Sequence, residues 1–294
     1  MEHPYTRPVR VGFRIADVFT EEPFAGNQLC VFPEVPDELD PDTMQLLARE
    51  IGFSESTFVL EAGGDRYRMR IFTPSEELPF AGHPTIGTAF VLAREGRVAT
   101  SVTQTTDAGE VPVEVDLDAG TASMQQLPPT FGPVFDDPVL VAAAAGLEPG
   151  DLVRELPIQP VSTGLAHLMV PVRDEAALRR AERDGRLCLQ VHRRSGAASI
   201  YLFAVRGDGD VMARMFDPLL GIGEDSATGS AAGPLGAYLA AHDLAGMPGR
   251  VVVAQGELVQ RPSFLHVEVA RDGSSWSVKV GGGVRIVGDG AFEI

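Results

Sequence analysis

Apolar positions recur along this chain mostly in short strand-like segments. These are Val11 to Val18, Leu29 to Phe32, Thr57 to Leu60, Tyr67 to Phe72, Val111 to Leu117, Leu168 to Val172, Ile200 to Val205, Val211 to Phe216, Val251 to Ala254 and Leu265 to Val269. Helical signals are fewer. Asp40 and Pro41 supply an N-cap and first helical residue for a helix to about Glu50, with Gly52 just past its end. Asp137 and Pro138 open a second that runs through the alanines to Gly146. Asp174 to Arg183 reads as a third, and two more begin after glycine-rich loops, near Pro84 and near Ala231. This order predicts a strand-rich α+β protein, not a regular βαβ alternation.

An internal repeat refines that picture. Arg70-Ile-Phe-Thr-Pro74 matches Arg214-Met-Phe-Asp-Pro218, and each is followed by an acidic, glycine-containing loop. Each loop ends in glycine and a polar residue at the head of a helix, Gly82-His83 and Gly229-Ser230, and Leu92-Ala93 then corresponds to Leu239-Ala240. Upstream, Gly26 before Leu29-Cys30-Val31 resembles Gly164 before Leu168-Met169-Val170. Three matches in one order imply duplication, each half a curved sheet around one central helix. The proline-rich stretch from Leu127 to Pro138 is the natural crossing. The expected halves are therefore residues 1–127 and 128–294, with a return of the C-terminal strand to the first half left open.

Composition narrows the partners. A chain of 294 residues with 44% hydrophobic content can bury a large core. Its formal charge of −17, from 41 acidic and 24 basic residues without a basic block, argues against nucleic acid and anionic membranes. The one lysine, Lys279, lies in an alternating strand-like stretch and is a weak candidate for Schiff-base chemistry. Cys30 and Cys188 stand far apart in apolar segments and read as reduced, buried thiols. The first ten residues lack a signal-peptide core, and no apolar run approaches the roughly 20 residues that span a bilayer, so the expected compartment is the cytoplasm.

If the halves face each other, two helix N-termini meet in one cleft. Their free N–H groups and dipoles suit a carboxylate, and the glycines at Gly82 and Gly229 let an anion approach the backbone. Either loop alone would be an ordinary capped helix; the pairing is what points to a site. Glu55, between the helix stop at Gly52 and an apolar strand, is expected on a short anchored connection. Apolar walls there would raise its pKa and make it a usable base and acid near neutral pH.

Several segments carry a family resemblance. They are Gly52-Phe-Ser-Glu-Ser-Thr-Phe58, Phe80-Ala-Gly-His-Pro-Thr85, Gly221-Ile-Gly-Glu-Asp-Ser-Ala-Thr-Gly-Ser-Ala231, Gln255-Gly256 with Arg261-Pro262-Ser263, and Val280-Gly-Gly282. Together they resemble the phenazine-biosynthesis PhzF-like family, in order from about Ile15 to Gly290. The resemblance implies a fold shared with diaminopimelate epimerase, of two pseudo-symmetric halves, each a barrel-like, mostly antiparallel sheet around a helix. It implies an isomerase without metal or organic cofactor, acting on a small carboxylate-bearing substrate, amino acid-like or a cyclic diene, and a homodimer. By position, Glu55 would shuttle the proton, His83 and Asp225 would contact and polarise the substrate, and Asn27, Gly82, Gly229 and Ser230 would line the site. Gln28, Gly223 and Ser226 stand where the family commonly has proline, which bears on substrate identity.

Other chemistries have less support. Epimerases of this fold use one thiol from each half, and the aligned positions here read Ala81 and Ser226, so a racemase ranks below a single-base proton shift. There is no phosphate-binding Gly-x-x-x-x-Gly-Lys-Ser/Thr, no dinucleotide glycine triplet, no metal-ligand spacing among the six histidines and no Gly-x-Ser-x-Gly elbow. Ser230 as a nucleophile would need a base, for which His83 is the candidate. The main rival is a non-catalytic small-molecule-binding or scaffold protein that has kept the fold.

Overall fold

The strand-like and capped segments take shape in a computed structural model that describes residues 9–37, 39–106, 109–218, 223–273 and 275–294. In chain order the first half contains β1 (Arg10–Val18), β2 (Asn27–Phe32), α1 (Pro41–Ile51), β3 (Glu55–Gly63), β4 (Arg66–Phe72), β5 (Glu77–Leu78), α2 (Gly82–Arg94), β6 (Ser101–Thr106), β7 (Gly109–Asp116) and β8 (Thr121–Gln125). There follow β9 (Thr130–Phe131), α3 (Pro138–Ala144), β10 (Gln159–Ser162), β11 (Ala166–Pro171), α4 (Glu175–Arg179), α5 (Gly185–Ser195), β12 (Ser199–Val205) and β13 (Val211–Phe216). The chain ends with β14 (Glu224–Asp225), α6 (Gly229–Ala241), β15 (Gly249–Gln255), β16 (Ser263–Asp272) and β17 (Ser275–Glu293). Gly221 and Ile222 of the glycine-rich segment, and residues 1–8, lie outside the described residues.

Local chemistry explains the helix ends. The Asp40 carboxylate accepts from the Thr43 N–H at the start of α1, and Gly52 ends that helix with φ 71°, open to glycine without steric cost. The helix expected from Asp174 to Arg183 stops at Arg179, and an unanticipated helix, α5, follows it. Its signals were present: Asp184 accepts from the N–H groups of Arg186 and Leu187, and Gly196 closes it with φ 70°. What concealed it is its polar composition, three arginines, a glutamine and a histidine among eleven residues, with only Cys188 and Val191 buried. Among the described residues no helix is long and apolar enough to cross a membrane.

The strands form an α+β fold in which the first half borrows the later part of the C-terminal strand from the second. In the first half pairing runs β1–β2–β3–β4–β6–β7–β8, β8 pairs with residues 279–283 of β17, and the later part of β17 pairs with β1, closing a barrel. In the second half pairing runs β10–β11–β12–β13–β15–β16–β17. Here β8 lies against β17, and its continuation β9 crosses over to pair with β10. The two crossing strands therefore pair with each other at the centre of the molecule.

Inside these sheets run α2 and α6, nearly all of whose residues are buried. A helix buried on every side needs apolar residues all round, as Ile86, Phe90 and Leu92 in α2 and Leu235, Tyr238 and Leu239 in α6 provide. Each such side chain contributes about 1.5–3 kcal/mol by leaving water.

The duplication extends to side chains. Arg70 on β4 forms a two-pronged ion pair with Glu77 at 2.7 and 2.5 Å and lies over Phe72, its guanidinium carbon 5.1 Å from the ring centre. Arg214 on β13 does the same with Glu224, at 2.9 and 2.6 Å, over Phe216 at 4.9 Å. The second pair is far more enclosed, the Glu224 side chain being 12% exposed against 41% for Glu77. Glu224→Ala should therefore lower stability by about 2 kcal/mol, as for a hydrogen-bonded charge left in a buried setting. Glu77→Ala should cost under about 1 kcal/mol, as for exposed pairs. Urea midpoints of the two variants measure the contrast, and equal losses would contradict it.

Candidate active site

The N-terminal ends of α2 and α6 abut. A Cβ placed on Gly82 would lie 2.8 Å from the backbone nitrogen of Ser230 and 3.0 Å from the carbonyl carbon of Gly229, so only glycine permits this approach. Neither helix is capped by the side chain of its N-cap residue, Ala81 or Thr228. Two sets of helix-start N–H groups thus converge on one place, a setting that favours negative charge. Thr228 is also the structural counterpart of Ala81, where the alignment with epimerase thiols had pointed to Ser226; none of the three carries a thiol.

Glu55, Asn27, His83 and Asp225, two strand starts, a helix start and a short strand, come together here, and all four are buried. Glu55 is the first residue of β3, paired in parallel with Leu29 of β2, and not part of a loop as expected. Its Oε2 lies 3.5 Å from Nε2 of His83. Neither atom has a hydrogen-bond partner among the described residues, although both are shut from solvent. Two facing polar atoms left in this state are costly unless the site is meant to receive a polar group.

Asn27 joins the two halves. Its amide nitrogen donates to the Ala227 carbonyl at 2.8 Å and to Oδ1 of Asp225 at 2.9 Å, and lies 3.3 Å from Nδ1 of His83. An amide has two protons, and the two oxygens take them. Its own oxygen accepts from Ser54 at 3.1 Å. Asp225 does not cap α6. It reaches back into the cleft, held by the Thr228 hydroxyl at 2.6 Å.

Burial sets the electrostatics. It pushes the Glu55 carboxyl up to about 7, against the pull of the Ser54 hydroxyl and helped by the negative charge of Asp217. Asp225 is raised by burial first and by the charge of Glu55 second, while His83, Thr228 and Asn27 favour its ionised form. Desolvation lowers His83 to about 4, so the imidazole is neutral at physiological pH. The centre holds two carboxyls of raised pKa beside a neutral imidazole, a set that can take up and return protons near pH 7.

Sequence reasoning assigned no role to four contributors, although Gln255 and Arg261 stand in segments that carry the family resemblance. Gln255 donates to the Asp225 carbonyl and the Thr228 hydroxyl, and accepts from Tyr201 and the Thr228 N–H, which locks the strand carrying Asp225. Asp217 is buried within electrostatic reach of Glu55. It occupies the position of Thr73 in the first copy of the repeat, and that difference was the available signal. Arg261 grips the loop before Asn27 through the carbonyls of Phe24, Ala25 and Gly26 and the carboxylate of Asp17. Finally, the partner of Ser230 is His167, Nε2 to Oγ 3.1 Å, and not His83.

The positions that lack the expected prolines are informative too. Gly223 has φ 79°, which proline cannot adopt, and its carbonyl accepts from Arg183. Ser226 donates to the Gly26 carbonyl of the other half at 3.4 Å. Among the described residues no group of three or more His, Cys, Asp or Glu is arranged to hold a metal ion.

The chain is similar to known proteins over nearly its whole length. Residues 16–290 match the PhzC-PhzF family, described as phenazine biosynthesis-like protein. A trans-2,3-dihydro-3-hydroxyanthranilate isomerase of Pseudomonas aeruginosa is 37% identical, covering 94% of this chain and 95% of its own. The uncharacterized isomerase YddE of Escherichia coli O157:H7 is 34% identical, covering 92% and 94%. Among solved structures, the phenazine biosynthesis protein of the PhzF family from Bacillus anthracis superposes with a TM-score of 0.87 at 28% identity, covering 97% of this chain and all of that one.

Proposed function

We propose, from the premise that this chain belongs to the PhzC-PhzF family of phenazine biosynthesis-like isomerases, that it moves a proton between two carbons of a small carboxylate-bearing ring or amino acid-like substrate, with Glu55 as the shuttle. The observation that carries this reading is the unpartnered, buried pair of Glu55 Oε2 and His83 Nε2 beside two converging helix starts. In this scheme the substrate carboxylate lies against the helix starts, and negative charge developing on the carbon framework is stabilised by their N–H groups. Ionised Glu55 removes a proton from one carbon, the double bonds shift, and the same carboxyl returns a proton to another carbon on that face. No atoms are gained or lost.

His83, neutral and within reach of Glu55, steadies charge next to the reacting carbon, and Asp225 with Asn27 holds the far wall. The counterpart positions Ala81 and Thr228 offer no second base across the cleft, which favours proton transfer on one face over racemisation.

The test is an isomerisation assay in deuterated water with trans-2,3-dihydro-3-hydroxyanthranilate, the compound named for the Pseudomonas relative, and with a series of cyclic and unsaturated amino acids. Turnover with deuterium placed at a carbon is expected for at least one. Binding without exchange across the series would favour a non-catalytic role.

The pH dependence has a defined sign. The base form of Glu55 is required in the free enzyme, so kcat/KM should rise with pH through about 7 and then level off. Asp217→Asn removes a charge that raises that pKa, so the rise should move to lower pH. A rise that stays in place or moves upward in Asp217→Asn would remove Asp217 from the account.

A further inference from the structure

Each half carries a polar chain beside the start of its central helix. In the first half Ser54, just before β3, bonds to Asn27 at the start of β2, and Asn27 lies against His83, the residue after the glycine that begins α2. In the second half Ser199, at the start of β12, bonds through Oγ to Nδ1 of His167 on β11 at 2.8 Å. Nε2 of His167 then meets Oγ of Ser230, the residue after the glycine that begins α6, at 3.1 Å. β12 is the parallel neighbour of β11 as β3 is of β2. With Phe72 corresponding to Phe216, the strand registers place Ser199 where the first half has Glu55, and His167 where it has Leu29, so this polar chain belongs to the second half alone. Asn27 gives both amide protons to oxygens of the protein. Among the described residues, the His167 ring has no polar partner other than the two serines.

We infer that His167 is a positioning residue that fixes the direction of the Ser230 hydroxyl: its Nε2–H donates to Ser230 Oγ, so that the Ser230 proton is offered to an anionic oxygen of the substrate at the start of α6. This role for His167 rests on the carboxylate reading given above. His167 is buried, 2% exposed, and burial holds it neutral, with its pKa lowered to about 3. A neutral imidazole has one N–H and one lone pair, so a chain through it runs in one direction only. In one direction Ser199 donates to Nδ1 and Ser230 donates outward. In the other Ser230 donates to Nε2 and turns a lone pair toward the site. The helix start next to Ser230 presents N–H donors, which call for an acceptor ligand, and only the first direction adds a donor to them. A base this weak is unsuited to activating Ser230 as a nucleophile. The duplication has thus yielded one half that handles the proton and one that anchors the charge.

Two measurements on the full chain test this. The first compares binding of anthranilate with aniline, the same ring without its carboxylate, by calorimetry. Wild type should prefer anthranilate. His167→Ala should weaken anthranilate binding on the order of 10-fold or more, as for loss of a hydrogen bond to a charged group, and leave aniline unchanged. His167→Gln, whose amide can still donate to Ser230, should recover most of the loss, and His167→Ala combined with Ser230→Ala should bind no more weakly than Ser230→Ala alone. Full discrimination in His167→Ala, or additive losses in the double variant, overturns the inference while leaving the carboxylate reading intact. No discrimination in wild type overturns both. The second needs no variant: nitrogen-15 spectra of histidine-labelled wild type with anthranilate should report His167 as the Nε2–H tautomer, and the Nδ1–H tautomer overturns the inference.

Discussion

Glu55→Gln should reduce deuterium incorporation into a turned-over substrate by two to four orders of magnitude, the range for loss of a positioned general base, while ligand affinity stays within about threefold. The substitution keeps size and shape but removes the group that can alternate between acid and base. The site makes this loss hard to bypass. Asp225, the other raised carboxyl, is engaged by Asn27 and Thr228, so its oxygens are committed to holding the wall. His83 is neutral with a pKa near 4 and is a weak base. Water is nearly excluded, Glu55 being 8% exposed. If Glu55 were only structural, Gln would serve as well in that enclosed place and exchange would persist. Exchange within about threefold of wild type would end the shuttle assignment, and loss of affinity in parallel with exchange would recast Glu55 as a binding residue.

The elements that could be read from sequence are those whose stability is local. α1 and α3 begin with Asp-Pro caps whose carboxylates bond as such caps do, and the strands from β1 to β4 and from β11 to β13 follow their apolar runs. α2 and α6 were found through the repeat and not through periodicity, because helices buried on all sides lack a polar face. The return of the C-terminal strand to the first half was left open, and the pairing of β8 with β17 where the halves meet was not readable. A strand pattern shows which faces are apolar but not which neighbour it will meet.

The candidate site divides the same way. Glu55, His83, Asp225 and Asn27 were singled out from motif segments, and the fold gathers them within hydrogen-bonding or ionic reach of one another. His167 and Asp217 lie in ordinary strand or loop sequence, Gln255 stands in a segment of the resemblance that gave it no role, and the contacts of all three arise only from tertiary packing. Comparing the two copies of the repeat residue by residue, Thr73 against Asp217, would have exposed one of these three, since divergence between copies marks where one half took on a different task.

Gly82→Ala should lower kcat/KM by about 100-fold or more and cost about 1–3 kcal/mol of stability, the usual range for forcing a methyl group into a filled space. The added carbon would meet backbone, the nitrogen of Ser230 and the carbonyl carbon of Gly229, and backbone has no rotamer in which to move aside. The two helix starts must then separate by several tenths of an ångström. That carries the N–H groups of one half away from the substrate anchor on the other and moves His83 away from Glu55, whose 3.5 Å separation leaves little margin. Misplacement on this scale is costly for a reaction that depends on positioning. Gly229→Ala is the matched comparison. Its new methyl group would sit 3.0 Å from the ring tip of Phe19, a side chain that can tilt, and 3.5 Å from the Gly82 Cα, an ordinary contact. Its loss of activity should be clearly smaller. Kinetics and thermal melts of both variants measure this, and equal effects would show that the close approach of the helix starts is not what the chemistry depends on.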